Sequence, residues 1–397
     1  KRFTFAARNV SKPLDVLRLS GTEGLSRLYQ FEVDVVARTE ELSFDDIVGH
    51  SAALEILGRE ADRHVHGMVA RIDLLHVREE HAVYRVLLVP PHAKLALRRK
   101  LRVYQARTTR QIVTRVLREA GITRLQWRLS ADYKPRDYCV QYRETDLDFV
   151  TRLLEEEGIA FHFDHDDSDV TTVFTDQVAA FSTIEGPATL VYREETGLDP
   201  DQESVAALSY GQQLGSGYVR LQDYSFRQPA VPPMGFAFGL NPVDLEIYDY
   251  PGEFVDSDLA TRLATVRQEE AESSRLVGTA VSDSNRPVPG RTFQLGGAGA
   301  RERHPRADLN RDYLLVQVDH RGHQPQALEE EAEPDEEPGY RTELTLIPAD
   351  VQYRPPRVTP RPEALGVHTA TVVGPAGEEI YTDHYGRVKV RFHWDRE

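Results

Sequence analysis

Apolar and polar residues alternate in short runs from Phe3 to about Pro91, and turns with glycine or charged residues separate these runs. Leu28 to Val36 and Ala82 to Val89 are two of them. Alternation points every second side chain to the same face of a strand, as in an antiparallel sheet with one buried face. The pattern therefore predicts an antiparallel sheet or barrel for this part of the chain.

Between about Leu95 and Phe163 the spacing of apolar residues changes from the alternation of strands to the period of a helix. Two segments, Thr108 to Gly121 and Thr145 to Gly158, each begin with a capping-box pattern and end at a glycine. In the second segment, apolar residues recur at helical spacing at Leu147, Val150 and Leu154. The pattern predicts two helices that frame one strand, and Ile159 is expected to open a further strand.

Strand-like runs return after Phe163. A loop-rich stretch is expected from Gly211 to Gly239, and one helix is expected near Ser257 to Ser273. The helix would have one apolar face, formed by Leu259, Leu263 and Val266. Sheet-like alternation then resumes at Ser274.

Two later stretches are predicted to be connections. Glu329 to Gly339 combines acidic residues with proline and almost no apolar content, which favours a solvated loop insertion. Tyr353 to Pro362 contains four prolines and is predicted to be a stiff, extended linker.

The residues after this linker again favour strands, at Ala370 to Val373 and at Ile380 to Tyr381. The last predicted strand has a strict alternation in which the apolar positions are Val388, Val390, Phe392 and Trp394. It is expected to be half buried, with a basic outer face. These residues are too few to close a barrel alone, so the sequence is expected to stop inside a domain.

Composition narrows the class of protein. A length of 397 residues favours two to four domains. The chain has 48 basic and 64 acidic residues, a formal net charge of -16, which argues against binding nucleic acid or anionic lipid through bulk charge. Local basic patches remain compatible with this charge.

The single cysteine, Cys139, excludes an intrachain disulfide and fits a reducing compartment of origin. It lies in a strand-like run and is expected to be inert. No stretch has the length and apolar character of a membrane span, and the first residues lack the apolar core of a secretory signal. Export, if it occurs, is expected to use another route.

The strongest metal-like cluster follows the second predicted helix. Its members are His162, Asp164, His165, Asp166, Asp167 and Asp169. His162 and Asp164 would share one face of a strand, so two ligands could converge, but the glycine and the terminal glutamate of an EF-hand loop are missing. A polar hairpin tip explains the same residues and is the preferred interpretation.

Other histidine and glycine candidates have simpler explanations. His64 and His66 share a strand face, but the sequence does not identify the third ligand that zinc would need. His384 and His393 could approach each other across a hairpin, although surface positions are expected. A glycine-rich stretch gives a weak indication of a phosphate loop at Gly296, Gly297 and Gly299.

Two acidic pairs, Glu246 with Asp249 and Glu253 with Asp256, could form the carboxyl dyad of a glycosidase. The segment from Asp249 to Gly252 is instead predicted to be a turn, with a positive φ at the glycine. The nucleophile-elbow, zinc-helix, phosphate-loop and paired-cysteine motifs are missing from the sequence. No catalytic, cofactor-binding or metal-binding residue is therefore predicted, and binding or structure is favoured over catalysis.

Three long motifs occur in order along the chain. They are YRETDLDFVTRLLEEEGIAF at Tyr142 to Phe161, EIYDYPGEF at Glu246 to Phe254, and EEIYTDHYGRVKVRFHWDRE at Glu378 to Glu397. Together they closely resemble the VgrG family, the trimeric spike proteins of bacterial type VI secretion systems. The resemblance covers essentially the whole chain.

The resemblance implies a mainly β fold with a small α+β insertion. Two tube-type β-barrel hub domains would be followed by the start of an OB-type barrel. The implied boundaries are 1–95 for the first tube-type domain, 96–165 for the helix-containing insertion, 166–352 for the second tube-type domain with loop insertions, 353–366 for the proline-rich linker and 367–397 for the truncated OB-type domain.

The resemblance also implies a homotrimer whose six barrels form a pseudo-sixfold ring on the hexameric Hcp tube. Its further partners would be a PAAR-type tip protein, effectors or adaptors, and baseplate and sheath components, with transient contact to a target membrane and no nucleic acid or cofactor. The trimer would assemble in the bacterial cytoplasm and be secreted without a signal peptide into the medium or a target cell. Sheath contraction would drive the spike through the membrane without catalysis in this region.

Three other functions are compatible with the sequence. The chain could be the hub or needle protein of a contractile phage tail or an extracellular injection system. It could be a metal hydrolase that uses His162 and His165. It could also carry a needle with a fused peptidoglycan-cleaving domain beyond residue 397.

Overall fold

The computed structural model describes residues 2–37, 42–78, 81–194, 202–325, 339–378 and 380–396. The chain forms two compact units. Unit 1 comprises Lys1–Ala93, Arg124–Ala131 and Glu155–Pro356, and unit 2 comprises Lys94–Thr123, Asp132–Leu154 and Arg357–Glu397. The acidic stretch expected to be a loop, Glu329 to Gly339, lies outside the described residues except for Gly339. In the described ranges, no helix combines the length and the apolar character that a membrane crossing requires.

The strands of the described residues are, in chain order, β1 (Phe3–Ala7), β2 (Leu14–Gly24), β3 (Gln30–Ala37), β4 (Ser51–Ile56), β5 (Arg63–Val77), β6 (Ala82–Val89), β7 (Arg99–Arg107), β8 (Leu125–Arg128), β9 (Arg136–Thr145), β10 (Ala160–His165), β11 (Val170–Thr175), β12 (Ser182–Thr183), β13 (Thr189–Tyr192), β14 (Ser204–Gln212), β15 (Tyr218–Gln222), β16 (Met234–Phe238), β17 (Glu246–Asp249), β18 (Leu276–Ser282), β19 (Arg291–Leu295), β20 (Asp312–His323), β21 (Gly339–Pro348), β22 (Ala370–Val372) and β23 (Val390–Phe392). The α-helices are α1 (Phe44–Ile47), α2 (Ala93–Ala96), α3 (Thr109–Glu119), α4 (Asp146–Glu157) and α5 (Ser257–Ser273).

The first six strands of unit 1 form a closed antiparallel barrel. They pair in the order β1, β4, β5, β6, β3, β2, and pairing of β1 with β2 closes the ring. The inward positions carry buried apolar side chains such as Phe5, Phe31 and Leu54. The sheet or barrel predicted from the alternation up to Pro91 is confirmed.

A second closed ring follows in the same unit. Its strands pair in the order β20, β21, β18, β14, β13, β19, and pairing of β19 with β20 closes it. Its core includes Leu190, Val205, Phe293, Tyr313 and Leu344. Because each ring is closed, neither barrel leaves a free sheet edge within itself. The predicted fold class, mainly β with two barrels and a helix-containing insertion, is confirmed.

The two barrels of unit 1 are joined by pairing of one strand from each. Strand β2 of the first barrel pairs antiparallel with β20 of the second, from Arg18 opposite His323 to Gly24 opposite Gln317. Backbone hydrogen bonds therefore run continuously from one barrel into the other. A rigid connection between the barrels follows from this shared ladder.

The helices α3 and α4 begin at the capping residues predicted from the sequence. Thr108 forms a capping box with Gln111 at the start of α3, and the backbone N–H of Asp148 donates to Thr145 Oγ1 at 3.0 Å before α4. The glycines that follow, Gly121 and Gly158, have positive φ. Both predicted helices are confirmed, and the next strand begins at Ala160, one residue after Ile159.

Thr145→Ala is expected to lower the free energy of unfolding of the region around α4 by about 1 kcal/mol, because the N–H of Asp148 would lose its acceptor. Urea denaturation followed by far-ultraviolet circular dichroism measures this change. Thr151→Ala, inside the same helix, is the control and should cost nothing, since alanine is the better helix former. Equal losses in both variants would contradict the capping role.

One prediction about strands was wrong. The helices α3 and α4 are separated by two strands, β8 and β9, because the segment from Asp132 to Pro135 interrupts the run and the two strands have different partners. The stretch expected to be loop-rich, Gly211 to Gly239, contains the short strands β15 and β16, and its prolines lie in the connection between them. The pairing of such short strands depends on partner strands that a local sequence pattern does not identify.

Unit 2 contains the antiparallel pair β7 and β9, the helix α3, and the pair β22 and β23. The strand predicted from Val388 to Trp394 is reduced to Val390–Phe392, and Val388 is 54% exposed, so the half-buried prediction was wrong. A two-stranded pair offers no second layer to cover an apolar face. The OB-type assignment and the five domain boundaries stay predictions.

The proline-rich stretch from Tyr353 to Pro362 carries no helix or strand. Its first residues are nevertheless anchored in unit 1. Tyr353 is buried in an apolar cluster with Leu25 and Ile347, and Arg354 donates to the carboxylate of Glu269 at 2.7 Å.

Candidate functional site: a buried ionic seam and an exposed aromatic face

A buried ionic group lies where the two barrels of unit 1 meet. Glu23 comes from β2 of the first barrel, Arg63 from β5 of the same barrel, and His320 from β20 of the second barrel. The guanidinium of Arg63 donates to Glu23 Oε1, and His320 Nε2 lies 2.8 Å from the same oxygen. All three side chains are buried. We call this group the ionic seam.

Charge compensation sets the protonation of the seam. Burial alone would raise the pKa of Glu23, but the positive charge of Arg63 and the hydrogen bond from His320 outweigh burial and lower the pKa to about 2. Burial also lowers the pKa of His320, which keeps its ring neutral near pH 7. A neutral ring can donate to Glu23 from Nε2 while Nδ1 accepts from the Tyr340 hydroxyl at 2.7 Å.

A second set of contacts reinforces the junction between the barrels. Arg63 Nη1 also donates to the carbonyl of Pro287 at 3.1 Å, in the segment before β19. Asn285 Nδ2 donates to the carbonyls of Ile56 at 2.9 Å and Ala61 at 3.0 Å, which belong to the first-barrel region. Side chains of both barrels thus bond the backbone of the other.

The sequence pattern does not predict the ionic seam. One signal was available, because Glu23 lies four positions after Leu19 in β2 and therefore shares its inward orientation. A charged residue at an inward strand position needs a buried partner. The partner, however, lies 40 residues away, and no local pattern identifies it.

The metal-like cluster is divided among separate partners. Asp164 pairs with Arg291 at 2.8 Å, so its charge is already compensated, and His162 Nε2 lies 3.5 Å from it. The ring of His165 accepts a hydrogen bond from the backbone N–H of His66 at 3.1 Å. Within the described residues, no group of three or more His, Cys, Asp or Glu side chains is placed to hold a metal ion.

Burial and hydrogen bonding explain the electrostatics of these residues. Burial lowers the pKa of His165 to about 4, so this ring is neutral near pH 7. Asp166 accepts hydrogen bonds from Ser168 and from the backbone N–H of Asp169, and these bonds with the contact from Arg124 lower its pKa. The predicted polar turn accounts for Asp166, as the sequence suggested.

The remaining histidine candidates contact other side chains. The rings of His64 and His66 are stacked with centroids 6.1 Å apart, and His66 Nε2 lies 2.8 Å from the carbonyl oxygen of Asp166. His384 lies against the ring of Tyr385, with centroids 3.8 Å apart. The predicted face sharing of the first pair is confirmed.

The glycine-rich loop does not present an empty anion cradle. The N–H of Gly299 donates to the Glu302 carboxylate at 2.9 Å, and the N–H of Gly297 donates to the Glu302 carbonyl at 3.0 Å. A negative side chain therefore occupies the position that a phosphate would need.

The acidic pair Glu246 and Asp249 lies on β17, whose four residues are all exposed. The pair therefore lies on an exposed surface strand. The predicted turn differs in detail: the Tyr250–Pro251 bond is cis, and the positive φ occurs at Glu253 rather than at Gly252. Asp256 caps α5 by accepting from the N–H of Leu259 at 2.8 Å.

The three-stranded sheet β16–β15–β17 has an aromatic outer face. Tyr218 stacks on Phe238 with centroids 4.9 Å apart, and the guanidinium of Arg220 lies over the rings of Phe236 and Tyr248. Phe238 is 71% exposed and Tyr248 is 53% exposed. An exposed aromatic surface of this kind is typical of interaction sites.

The opposite face of this sheet packs on α5. Val219 and Leu221 are buried against Ala260 and Ala264, and the predicted apolar residues Leu259 and Leu263 lie at the margin of this cluster. Small residues on the helix permit a close approach of helix and sheet. The helix bounds predicted from the sequence, Ser257 to Ser273, are confirmed.

Gly235→Ala is expected to destabilise this layer by about 1–3 kcal/mol. A Cβ at Gly235 would lie 2.1 Å from the backbone of Ala260, so α5 would have to move away from β16. Faster hydrogen exchange in β15 and β16 is the expected readout. Gly339→Ala, where a Cβ meets no atom within 4 Å, is the control, and equal exchange in both variants would contradict the packing argument.

Comparison with known proteins agrees with this architecture. The family model described as phage tail baseplate hub (GPD) matches residues 22–326. Among solved structures, the chain is similar to the E. coli c3393 protein, described as a component of the type VI secretion system with structural similarity to the T4 tail proteins gp27 and gp5. That match has a TM-score of 0.70 and 23% identity, and it covers 98% of this chain and 89% of the other.

Curated relatives extend the likeness in sequence. The chain is 36% identical over 411 residues to the type VI secretion system spike protein VgrG4b of Pseudomonas aeruginosa, covering 100% of this chain and 49% of that protein. It is 32% identical over 375 residues to the actin cross-linking toxin VgrG1 of Vibrio cholerae, covering 93% of this chain and 33% of that protein. The chain thus spans about half or less of the length of these relatives.

The VgrG resemblance inferred from the three motifs is confirmed by these similarities. The pair of closed barrels and the match over residues 22–326 lead to one conclusion. The chain belongs to the phage tail baseplate hub (GPD) family.

Proposed function

We propose that this chain is the hub of a type VI secretion spike, and that three copies assemble with their six barrels in a pseudo-sixfold ring on the Hcp tube. The observation that carries the proposal is the pair of closed six-stranded barrels joined through β2 and β20. Three copies present six barrels, which match the six subunits of a hexameric ring. The ionic seam keeps the two barrels of each copy in register.

The proposed role is mechanical. Sheath contraction would push the trimer through a target membrane, and the load would pass from the tube into the barrels. A continuous backbone ladder with buried ion pairs suits this task, because shared hydrogen bonds resist sliding of one barrel against the other. A PAAR-type tip, effectors or adaptors, and baseplate and sheath components would complete the assembly.

Localisation follows from this role. The trimer would form in the bacterial cytoplasm and leave the cell through the apparatus into the medium or a target cell. In the proposed division of the chain, 1–95 and 166–352 are tube-type domains, 96–165 is the insertion, 353–366 is the linker, and 367–397 begins an OB-type domain. No bond would be made or broken by the hub itself.

Light scattering during gel filtration tests the assembly. The expected mass is three times the 45.0 kDa of one chain. Purified Hcp hexamers should then bind one trimer on the end of each ring stack, visible by negative-stain microscopy. A stable monomer at all concentrations would overturn the trimer, and a trimer that leaves Hcp unbound would overturn the capping role.

A phage-tail hub is the second candidate, because the family model that matches residues 22–326 describes that class. The same trimer would then bind the tube protein of a contractile phage tail. Parallel binding assays with Hcp and with a phage tube protein distinguish the two candidates. Preference for Hcp supports the secretion spike, and preference for the phage protein supports the alternative.

A further inference from the structure

The two barrels of unit 1 have the same strand order. Numbered along the chain, the six strands of the first barrel close in the order first, fourth, fifth, sixth, third, second. The strands of the second barrel, β13, β14, β18, β19, β20 and β21, close in the same order. In both barrels the last five strands pair antiparallel, whereas β13 is parallel to its neighbours and β1 is antiparallel to its own. In this correspondence β14 matches β2, and β20 matches β5.

Matching β-bulges extend the correspondence to single residues. Strand β2 has an extra residue, Leu17, opposite β3, and β14 has Ala206 at the same point opposite β18. Strand β5 has an extra residue, Ala70, opposite β6, and β20 has Val316 at the same point opposite β21. A bulge shifts the alternation of a strand, so bulges at equal places align the two barrels residue by residue.

The junction between the barrels uses strands that extend past the neighbour that closes their ring. Strand β19 pairs with β20 only from Asp312 to Leu314, and β2 pairs with β20 from Gln317 to His323. Strand β2 pairs with β1 only at Leu14 and Asp15, so its later residues are available to β20. The second strand of one barrel is therefore joined to the fifth strand of the other.

The two corresponding strands, β5 and β14, extend past their rings in the same way. Strand β4 pairs with β5 only as far as Met68, and from Ala70 to Val77 β5 pairs only with β6 in the described residues. Within the same described ranges, β13 pairs with β14 only at Ser204 and Val205, and residues 206–212 pair only with β18. Each strand thus keeps one open edge.

These open edges are accessible and carry no residue that blocks pairing. On β5, Leu74 is 47% exposed, Leu75 is 42% exposed and Val77 is 62% exposed. On β14, Ala207 and Ser209 are exposed. Neither edge contains proline or lysine, the residues that commonly protect an edge strand. Unpaired N–H and C=O groups on such an edge are a template for another strand.

We propose that β5 of one copy pairs antiparallel with β14 of the next copy, and so repeats between copies the ladder that joins β2 to β20 within the chain. This pairing rests on the proposed trimer and names the strands that form its contact. A cyclic trimer requires two different surfaces that fit each other, since each copy meets its two neighbours with different surfaces. The open edges of β5 and β14 are two such surfaces. Three copies would then form a closed ring in which every junction joins a second strand to a fifth strand.

A second copy fits these edges better than an unrelated extended peptide. A peptide added to β5 would leave the edge of β14 open, whereas a ring of copies covers both edges of every chain at once. The partner strand is also already matched, because counterparts of β5 and β14 form the junction within the chain.

The junction within the chain predicts the register between copies. Thr22 lies opposite Asp319, and Thr22 Oγ1 donates to Asp319 Oδ1 at 2.6 Å. Counted from the bulges, Thr22 corresponds to Gly211, and Asp319 corresponds to Asp73. We therefore expect Asp73 of one copy to lie opposite Gly211 of the next.

The next position gives the contact between copies an apolar character. His320 of the ionic seam lies opposite Gly21, and their counterparts are Leu74 and Tyr210. Tyr210 packs at the margin of the core of the second barrel. Pairing would remove the exposed Leu74 side chain from water beside this ring, which stabilises the contact. The correspondence ends there, because β5 has a further bulge at Leu75 that β20 lacks.

Cysteine cross-linking of the 397-residue chain tests the pairing. Cys139→Ser removes the native thiol, and Asp73→Cys with Gly211→Cys then places one thiol on each edge. A Cβ at Gly211 meets only the Val277 carbonyl, at 4.0 Å. Directly opposite residues have Cα atoms about 4.5–5.5 Å apart, a distance that a disulfide can bridge. Oxidation with diamide should give covalent dimers and trimers on a non-reducing gel.

Asp73→Cys with Ala207→Cys in the same background is the matched control. It moves the second thiol four residues along β14, about 13 Å from the expected position, and should not cross-link. Equal cross-linking of both pairs would overturn the register. Covalent dimers formed by Asp73→Cys or Gly211→Cys alone would show that like edges meet, which also overturns the proposed pairing.

A second variant tests the contact without introduced thiols. Leu74→Asp should raise the apparent dissociation constant of the trimer at least about tenfold in sedimentation velocity, because pairing would bury a carboxylate beside Tyr210. Val255→Asp is its control, since Val255 is a 60% exposed valine of unit 1 and gives the same change in charge. Melting curves verify that each variant folds. Equal weakening by both substitutions, or by neither, would contradict the pairing.

The outcomes separate this pairing from the proposed function. A wild-type chain that stays monomeric in light scattering overturns the trimer and the pairing together. A wild-type trimer whose Asp73→Cys, Gly211→Cys variant folds but does not cross-link overturns the pairing and leaves the trimer standing. A cross-linked trimer that does not bind Hcp supports the pairing and overturns only the capping role.

Discussion

Arg63→Met should lower the free energy of unfolding of unit 1 by about 3–5 kcal/mol, because the Glu23 carboxylate would stay buried without the cation that compensates it. Both side chains are nearly inaccessible to water, so solvent cannot replace the lost guanidinium. Urea denaturation followed by intrinsic fluorescence measures the change. The proposed ring depends on this seam, so Hcp capping should weaken along with stability.

Arg71→Met on the same strand β5 is the matched control. Its guanidinium pairs with Asp73 at 2.8 Å, but the side chain is 55% exposed. An exposed pair contributes at most about 1 kcal/mol, so this variant should unfold almost like the wild type. Equal losses for Arg63→Met and Arg71→Met would contradict the role of burial at the seam.

The stability that Glu23 and Arg63 provide depends on pH with a defined sign. The pKa of Glu23 is lowered in the folded chain from 4.5 to about 2, so the unfolded chain binds the proton first as the pH falls. The contribution of Glu23 to stability is therefore complete above pH 4.5 and is lost as the pH falls towards 2. The difference in unfolding free energy between wild type and Arg63→Met should narrow in that window. A difference that is constant from pH 7 to about pH 2 would count against the assignment.

Arg152→Met should destabilise unit 2 by a similar amount, about 3–5 kcal/mol. Arg152 forms a bidentate contact with Glu144, with Nε–Oε2 and Nη2–Oε1 distances of 2.7 Å, and Nη2 also donates to the Val140 carbonyl at 2.9 Å. Both charged side chains are buried, so the methionine variant would leave the Glu144 carboxylate buried without its cation and would remove the Arg152 donor from the Val140 carbonyl. Hydrogen exchange in β9 should accelerate.

Arg391→Met provides the comparison for this unit, because Arg391 is exposed on β23. It should leave both the melting temperature and the exchange of β9 unchanged. If Arg152→Met behaved like Arg391→Met, the bidentate pair would have no structural role. A loss confined to β9 and α4, with unit 1 unaffected, is the pattern expected for a local lock.

Several local features were predictable because their causes lie within a few residues. The capping box of Thr108 and Gln111 depends on atoms three positions apart, and α3 begins where it predicts. The stop at Gly158 needs only a residue that tolerates positive φ. Alternation up to Pro91 likewise predicted strands, since the period of a strand is two residues wherever it pairs.

The features that the sequence pattern did not predict depend on residues far away in the chain. The ring of His165 accepts from the backbone of His66, 99 positions earlier, and Asp164 pairs with Arg291, 127 positions later, so the apparent metal cluster is dispersed. The strands β15 and β16 are stabilised by pairing with each other and by packing on α5, which lies later in the chain. Sequence spacing alone does not decide such partners.

The sequence by itself determined the strand and helix periods, the caps, the net charge and the three motifs that resemble VgrG. Only the tertiary structure decided that the strands close into two barrels, that β2 joins β20, and that Glu23 meets Arg63 and His320 inside the seam. The physical reason is the difference in sequence range between these interactions. Propensity and capping act over one helical turn, whereas the burial of a charge is settled by partners that the fold brings together from across the chain.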